Sequence, residues 1–328
     1  MNVPLQELLS DNVDDRLIEF EQDGYPIHVK FMRSPIKTNR LIFTFHGAIA
    51  RNTDRSIFSR TRNIKSVSRF AHQISIFDPT IVRNEKLAMG WYLGDHECAA
   101  QPILQSFIER VINILQAERV IFMGSSGGGF ASLYFGFHQP GSIVLPIVPQ
   151  TRVPFYYRGG GSRAFPRYCS ICWPDLSEDE VAEQVCVDVT KLYASQPFRN
   201  AVIYLMSPGD TRQFAHHAAP FLSAVYGALD LKDINLSMAS DYWGVPDHSG
   251  AVPSAGFLPW LRAALTAPSI AQQDILDSYH TIKGQQASAA ARKPAPTAKA
   301  LTAGYAPQDL ELAQTLQRYH LGATAGGH

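Results

Sequence analysis

Short apolar runs recur along the chain, and segments with helical periodicity separate several of them. Residues 17–32 form two β-type runs around Asp23-Gly24, a dipeptide typical of hairpin turns. Compact apolar runs predict buried strands at 41–45, 74–77, 120–123, 143–148, 201–206 and 235–238. Apolar residues at helical spacing predict helices at 102–116 and 257–265. Strands that alternate with helices predict an α/β fold, with a mostly parallel sheet covered by helices on both faces.

Two segments depart from this alternation. Residues 153–200 contain several prolines, an acidic helical piece at 177–183 and no clear strand, which predicts a cap inserted over the sheet. Residues 284–306 are rich in Ala, Pro, Lys and Thr, and they predict a flexible linker because they lack apolar periodicity. We therefore expect a main domain over 1–283 and a tail over 307–328, whose helix at 307–321 docks on the body, on a partner or on a second copy.

Charge and composition exclude some classes of protein. The 29 basic and 29 acidic residues give a formal net charge of zero, which argues against a nucleic-acid-coating protein. Apolar residues make up 45% of the chain and charged residues only 18%, a composition that builds a large core. No apolar run is long enough for a membrane span, and the N-terminus lacks the pattern of a signal peptide, so a cytoplasmic location is expected.

The four cysteines are too scattered to form a disulfide framework in a chain of this length. Cys169 and Cys172 have C-x-x-C spacing, which suits a zinc ion or a redox pair. A zinc site needs four ligands, and no second pair lies nearby. Ordinary buried thiols are therefore favoured, and we expect no metal and no cofactor.

The most informative segment is 120–134, where an apolar strand runs into G-x-S-x-G and then into a helical pattern. Such a context is typical of a nucleophile elbow, which exposes Ser126 at a sharp turn while Gly124 and Gly128 allow close backbone approach. A phosphate-binding loop would need a lysine after the glycines, and a dinucleotide fingerprint would need glycine in place of Ser132. A glycine-rich turn that matches the pattern by chance remains an alternative.

With these motifs the chain resembles the α/β-hydrolase superfamily over about residues 17–265. The resemblance implies the chain order nucleophile, acid, histidine. The strand at 143–148 ends in Pro149-Gln150-Thr151, without a carboxylate, whereas the strand at 202–206 leads to Asp210. His248 follows the last strand. The resemblance therefore implies a triad of Ser126, Asp210 and His248.

Each partner of Ser126 has a competing interpretation. Asp210 could simply cap the helix that follows it. His216 and His217 compete with His248, but they lie on the helix directly after the proposed acid, which fits the family order poorly. Asp247 is adjacent to His248 along the chain and is expected to point elsewhere.

A serine nucleophile also needs donors for the oxyanion that forms when it attacks a carbonyl. One expected donor is the backbone N–H of Gly127. The segment Phe45-His46-Gly47-Ala48 resembles the HG-type oxyanion loop of esterases and lipases, which implies a second donor at Gly47 or Ala48. The His46 side chain is expected to form structural hydrogen bonds.

Candidate substrate contacts come from charge and aromatic residues. The segment 50–70 contains six basic residues against one acid, and Arg51 lies beside the oxyanion loop, where it could attract an anion. Such a run is also typical of a solvated face. Trp91, Tyr92 and Tyr156 have rings with polar tips that could line a substrate pocket or fill the core.

The motifs FHGA, LAMGWYLGD, GSSGGGF and PQT also resemble hydrolase-type proteins of bacterial surface-glycan loci and of the export machinery for serine-rich glycoproteins. This resemblance implies an acyl ester on a carbohydrate, cleaved by a carboxylic-ester hydrolase or formed by an O-acyltransferase. A non-enzymatic binding module on a hydrolase scaffold is the third interpretation.

Overall fold

The computed structural model describes residues 16–22, 24–49, 64–157, 163–244 and 253–291. Eight strands form the main sheet: β1 (Arg16–Gln22), β2 (Tyr25–Met32), β3 (Arg40–Phe45), β4 (His72–Ile76), β7 (Arg119–Ser125), β8 (Ile143–Ile147), β9 (Ala201–Met206) and β10 (Leu236–Ser240). A separate antiparallel ribbon consists of β5 (Gly94–Asp95) and β6 (Cys98–Ala99).

The order in the main sheet is β1-β2-β4-β3-β7-β8-β9-β10. Strand β2 is antiparallel to both of its neighbours, and all other neighbouring pairs are parallel. At the antiparallel edge Gln22 pairs with Tyr25, and Gly24 has a φ of 78°. The mostly parallel sheet and the predicted hairpin at this edge are therefore both present.

The helices of the described residues are α1 (Pro79–Arg83), α2 (Ala100–Leu115), α3 (Gly127–Phe137), α4 (Phe165–Cys172), α5 (Glu178–Gln184), α6 (Val189–Ala194), α7 (Thr211–Gln213), α8 (Ala219–Ala228), α9 (Ser254–Thr266) and α10 (Gln272–Ala291). A π-helical turn, Phe214–Ala218, connects α7 to α8. Short 3₁₀ helices lie at Lys65–Val67, Val153–Phe155 and Leu231–Asp233.

The central strands are buried on both faces. Every residue of β4, β8 and β9 is buried. Helix α3 packs on β3, β7 and β8, and α9 contacts β7 and β8. Stacked rings, such as Phe43 on Phe122 at 5.3 Å between centroids, fill the space between the strands and their cover. Apolar runs without alternation therefore predict these strands correctly, because parallel strands are covered on both sides.

The segment 153–200 lies between β8 and β9 and contains α4, α5 and α6. We call it the insertion. Its acidic helix α5 begins with a capping box, in which the Ser177 side chain accepts from the backbone N–H of Glu180 and the Glu180 side chain accepts from that of Ser177. Helix α6 packs against α8 and α3, so the insertion is anchored to helices of the main sheet.

The chain divides into two compact units, 1–282 and 283–328, and the second is described only as far as Ala291. Helix α10 continues to Ala291, so residues 284–291 are helical, whereas a linker was predicted from Gly284. The prediction fails there because Gln and Ala have high helix propensity even without an apolar face. The rest of the predicted linker and the helix at 307–321 lie outside the described residues. Within the described part of the chain, no helix is long and apolar enough to cross a bilayer.

The parallel strands place several polar residues at one edge of the sheet. His46 follows β3, Asp78 follows β4, Ser126 follows β7, Gln150 follows β8 and Asp210 follows β9. The carboxyl ends of parallel strands meet at the same edge, which is where sites form in open α/β sheets. This edge holds the candidate site.

Candidate active site

Ser126 occupies the turn between β7 and α3, with φ 57° and ψ −121°. Residues other than glycine seldom adopt a positive φ, and such strain is concentrated at functional sites. Ser126 is partly exposed, whereas Ser125 before it and Gly127 after it are buried. The turn therefore presents the Ser126 side chain at the N-terminus of α3, where the helix dipole favours negative charge.

The glycines of the motif are required by close backbone contacts. A Cβ on Gly128 would lie 2.2 Å from the carbonyl oxygen of Phe45, and a Cβ on Gly124 would lie 2.2 Å from that of Gly128. Strand β3 and helix α3 can thus approach each other only without side chains at these positions. This contact explains the spacing of the motif and supports a nucleophile elbow over a chance glycine-rich turn.

The loop after β3 lies directly against Ser126. A Cβ on Gly47 would be 2.9 Å from the Ser125 carbonyl oxygen, 3.1 Å from Ser126 Cβ and 3.7 Å from the backbone nitrogen of Gly127. Within the described part of the chain, the backbone N–H groups of Gly47 and Gly127 donate no hydrogen bond. Gly47 is buried and Ala48 is exposed, so the geometry favours Gly47 over Ala48 as the partner of Gly127.

The His46 ring is engaged in the structural hydrogen bonds that were expected for it. Its Nε2 accepts from the backbone N–H of Asp78 at 3.0 Å, and its Nδ1 donates to the Gly47 carbonyl oxygen at 2.6 Å. A ring nitrogen that accepts carries no proton, so these contacts define a neutral ring with its proton on Nδ1. His46 therefore holds the loop after β3 in place.

Trp91 and Tyr92 are 2% and 1% exposed, which favours the interpretation in which these rings fill the core. The Tyr92 hydroxyl accepts from the backbone N–H of His46 at 2.8 Å and donates to the Ile76 carbonyl oxygen at 3.0 Å. Tyr92 therefore supports the loop after β3 from the core side. An aromatic residue with a polar tip looks the same in the sequence whether it lines a pocket or fills the core. Only its burial in the folded chain distinguishes the two roles.

The buried carboxylate of Asp78 holds the loop that carries these aromatic residues. It accepts from the backbone N–H groups of Thr80, Gly90 and Tyr92 at 3.0, 2.9 and 3.2 Å. Burial raises the pKa of the Asp78 carboxyl to about 6, although these hydrogen bonds act in the opposite direction. Trp91 and Tyr92 have φ values of 52° and 64°, so this loop keeps two strained residues in place.

Gln150 contacts the Ser126 hydroxyl, and the sequence analysis missed it. Its Nε2 donates to Ser126 Oγ at 2.7 Å, and its Oε1 accepts from Trp91 Nε1 at 2.5 Å. The family order implies a carboxylate after one of these strands, and Pro149-Gln150-Thr151 after β8 lacks one. The position of Gln150 after a buried strand at the carboxyl edge was the available signal.

Asp210 follows β9 at the predicted edge and is 3% exposed. Its Oδ1 accepts from the backbone N–H of Gln213 at 3.1 Å, so Asp210 caps α7 as the competing interpretation predicts. A carboxylate has two oxygens and about four acceptor sites, which makes a cap compatible with orienting an imidazole.

His216 and His217 both lie in the π-helical turn after Asp210. The buried His217 ring accepts from the backbone N–H of Arg152 through Nδ1 at 3.4 Å. The backbone carbonyl oxygen of His217 accepts from the Thr151 hydroxyl at 2.9 Å. The His216 ring faces Tyr157 at 5.0 Å between centroids. Both rings therefore have contacts with the segment after β8.

His248, its neighbour Asp247 and Arg51 lie outside the described residues. Of the basic segment, Lys65 and Arg69 are described, and both are exposed. Tyr156, the remaining candidate substrate contact, is partly exposed at the start of the insertion, with its ring 6.3 Å from that of Trp91.

The thiols of the C-x-x-C pair are free and buried in the insertion. Burial raises the pKa of the Cys169 thiol to about 12 and that of the Cys172 thiol further. Within the described residues, no group of three or more His, Cys, Asp or Glu side chains could hold a metal ion.

Several solved protein structures are similar to this chain in fold. Capsule O-acetyltransferase of Neisseria meningitidis serogroup A has a TM-score of 0.52 at 16% identity, covering 84% of this chain and 96% of that chain. S-formylglutathione hydrolase from Agrobacterium tumefaciens has a TM-score of 0.52 at 11% identity, covering 84% of this chain and 94% of that chain. Acylaminoacyl peptidase from Pyrococcus horikoshii has a TM-score of 0.51 at 11% identity.

The match to acylaminoacyl peptidase covers 75% of this chain but only 39% of that chain, so this chain spans less than half of the peptidase. Neither the family models nor the curated proteins compared with the sequence match it. Identities this low establish the fold alone. The chain has the α/β-hydrolase fold, as its sequence motifs predict.

Proposed function

We propose that this chain is a serine hydrolase that cleaves an acyl ester through an acyl-enzyme intermediate on Ser126. The observation that carries this proposal is the strained Ser126 turn at the N-terminus of α3, with the backbones of Gly47 and Gly127 beside it. A hydroxyl held next to two available N–H donors matches what acyl transfer through a tetrahedral oxyanion requires.

In the proposed mechanism His248 accepts the Oγ proton as Ser126 attacks the carbonyl carbon, and Asp210 orients the imidazole and stabilises its charged form. The N–H groups of Gly127 and Gly47 donate to the oxyanion. The alcohol leaves with the proton from His248, and the acyl group stays on Oγ. Water, deprotonated by His248, then releases the acid and restores Ser126.

The proposed substrate is an acylated carbohydrate. Support comes from the fold shared with a capsule O-acetyltransferase, and from the partly exposed ring of Tyr156 near the site, since sugars pack well on aromatic rings. The basic segment with Arg51 adds positive charge near the oxyanion loop along the chain.

An O-acyltransferase with the same triad is the second candidate. The observation that favours it is the match to the O-acetyltransferase over 96% of that chain. Here a carbohydrate hydroxyl replaces water as the acceptor of the acyl group. Product partition with and without a carbohydrate acceptor distinguishes the two: added acceptor increases acyl transfer in a transferase and leaves only free acid in a hydrolase.

A fluorophosphonate probe tests the proposal, because it reacts with activated serines. We expect wild type and Ser125→Ala, a matched change at the buried neighbouring serine, to be labelled, and Ser126→Ala to be unlabelled and inactive on esters. Labelling that persists in Ser126→Ala contradicts the proposal.

A further inference from the structure

The side-chain amide of Gln150 touches the atom that the proposed mechanism uses as nucleophile. Its Nε2 lies 2.7 Å from Ser126 Oγ, and the side chain is fully buried. The backbone N–H of Gln150 also donates to the Ser126 carbonyl oxygen at 3.2 Å. Gln150 is thus held against Ser126 through both its main chain and its side chain.

Trp91 determines which way the amide faces. An indole N–H can only donate a hydrogen bond, so the atom it contacts at 2.5 Å must be the Gln150 oxygen. The NH₂ group is then directed at Ser126 Oγ. The orientation of the amide follows from this chemistry, because a flipped amide would set two N–H groups against each other.

Because Ser126 Oγ accepts from Gln150, its single proton must point toward a different acceptor. We propose that Gln150 is a further catalytic residue of the Ser126 site: it directs the hydroxyl proton toward the base and stabilises negative charge on Oγ. This inference rests on the proposed function. A hydrogen bond to a charged acceptor is stronger than one to a neutral acceptor, so the contact favours the states in which Oγ is most negative.

Gln150 transfers no proton in this scheme. During acylation the Oγ proton moves to His248 as the bond from Oγ to the acyl carbon forms. During deacylation that bond breaks, Oγ keeps the electron pair, and His248 returns a proton to it. Gln150 donates to Oγ at both moments, which are the ones when Oγ carries negative charge.

Trp91 acts as a positioning residue for the amide. Its loop is held by the Asp78 carboxylate, which accepts from the backbone N–H groups on both sides of Trp91, those of Gly90 and Tyr92. Without the indole N–H, the Gln150 amide can rotate and turn its oxygen toward Ser126. The oxygen would then compete with the base for the hydroxyl proton.

The test measures the second-order rate constant for fluorophosphonate labelling in wild type and three variants. We expect Gln150→Leu and Trp91→Phe to react about 10- to 100-fold more slowly than wild type. Gln101→Leu is the matched control, because Gln101 is also buried and donates to the Cys186 carbonyl oxygen, away from Ser126. It should react at the wild-type rate.

A pH profile of Gln150→Glu separates catalysis from packing. The ionised carboxylate cannot donate to Ser126, so this variant should be slow at pH 8. As the pH falls and the carboxyl gains a proton, it can donate again, and the deficit relative to wild type should shrink. A purely structural role of Gln150 predicts a deficit that does not change with pH.

The outcomes separate this inference from the proposed function. If Gln150→Leu and Trp91→Phe react at the wild-type rate while Ser126→Ala stays unlabelled, the role of Gln150 is overturned and the hydrolase proposal stands. If wild type itself is unlabelled, both are overturned. If Gln150→Leu fails to fold, Trp91→Phe and the Gln150→Glu profile still decide the matter.

Discussion

Gly47 allows the loop after β3 to lie against Ser126, the proposed nucleophile, because it lacks a Cβ. The nearest obstacles to a Cβ there are the Ser125 carbonyl oxygen and Ser126 Cβ, at 2.9 and 3.1 Å. Both belong to the strained turn, so neither can move without moving the nucleophile. A single methyl group at this position should therefore separate the loop from Ser126.

Gly47→Ala is expected to lower kcat for an ester by about 100- to 1,000-fold, the usual effect of losing one oxyanion donor. Gly227→Ala is the control, since a Cβ there meets nothing within 4 Å and α8 gains helix propensity. It should keep full activity. Steady-state kinetics and thermal unfolding check both variants, and wild-type kcat in Gly47→Ala contradicts the assignment of this loop.

Asp210 has two proposed roles that substitution can separate. Asn also caps helices, so Asp210→Asn should keep the hydrogen bond from the Gln213 N–H and nearly all of the stability, while it loses the charge that orients the imidazole. We expect kcat to fall by about 10⁴-fold. Asp210→Ala should lose activity and, in addition, about 1 kcal/mol of stability. If Asp210→Asn keeps its activity, Asp210 only caps α7 and does not orient the imidazole.

Among the elements, the segment from β4 to α2 contacts the site through Trp91 and Tyr92. Its buried Asp78 carboxylate fixes the turn at 90–92. Within that turn Trp91 donates to Gln150, and Tyr92 accepts from the backbone N–H of His46 in the loop after β3. Three backbone N–H groups converge on this one side chain. The element therefore depends on a carboxylate that is difficult to ionise.

The free energy of unfolding should depend on pH because the pKa of Asp78 is raised in the folded chain. Because the folded pKa of Asp78, about 6, exceeds its ordinary value of 3.8, the folded state holds this proton at pH values where the unfolded state has released it. The contribution is fully present below about pH 4 and is lost as the pH rises to about 6, by about 3 kcal/mol at most.

Urea unfolding of wild type and Asp78→Asn between pH 4 and pH 7 isolates this contribution from that of other carboxylates. We expect the free energy of unfolding of wild type minus that of the variant to decrease from pH 4 to pH 6 and then to stay level. A difference that is constant with pH, or that increases, would show that Asp78 titrates normally in the folded chain.

Elements with a local signal are predictable from the sequence. The predicted strand at 201–206 has the bounds of β9, and Gly24 of the predicted turn lies directly before β2, whose Tyr25 pairs with Gln22 of β1. The β5–β6 ribbon has only two residues in each strand, too few for a periodicity. Residues 284–291 were predicted as linker but are helical, because Ala-rich sequence is typical of both helix and linker.

At the scale of the whole molecule, the proposed triad comes from three distant parts of the chain. Ser126 and Asp210 follow β7 and β9, which are two strands apart in the sheet, and His248 follows β10 along the chain. Parallel strands deliver their following residues to one edge, so the topology rather than the local sequence assembles the site.

Substitution of the competing histidines tests this assembly. His248→Ala is expected to lower kcat by more than about 10⁴-fold. His217→Asn should stay active, because an asparagine oxygen can replace His217 Nδ1 as acceptor of the Arg152 N–H. Ester turnover of the two purified variants decides between them, and the reverse result would make His217 the base.

The sharp turn at Ser126 and the close approach of Gly47 to it lie in segments that each have a compact motif in the sequence. The contact of Gln150 with Ser126 and Trp91 could not be predicted from the sequence, since it joins side chains separated by 24 and 59 positions. The burial of Trp91 and Tyr92 likewise depends on how β4, α3 and the insertion pack. Such contacts become visible only once the sheet order is known.

The central claim is that Ser126 forms a covalent acyl intermediate, and peptide mass spectrometry after an acid quench tests it most directly. Wild type mixed briefly with 4-nitrophenyl acetate should carry one acetyl group, on Ser126, and Ser126→Ala should carry none. An acetyl group on another residue, or ester turnover that survives in Ser126→Ala, would contradict the account.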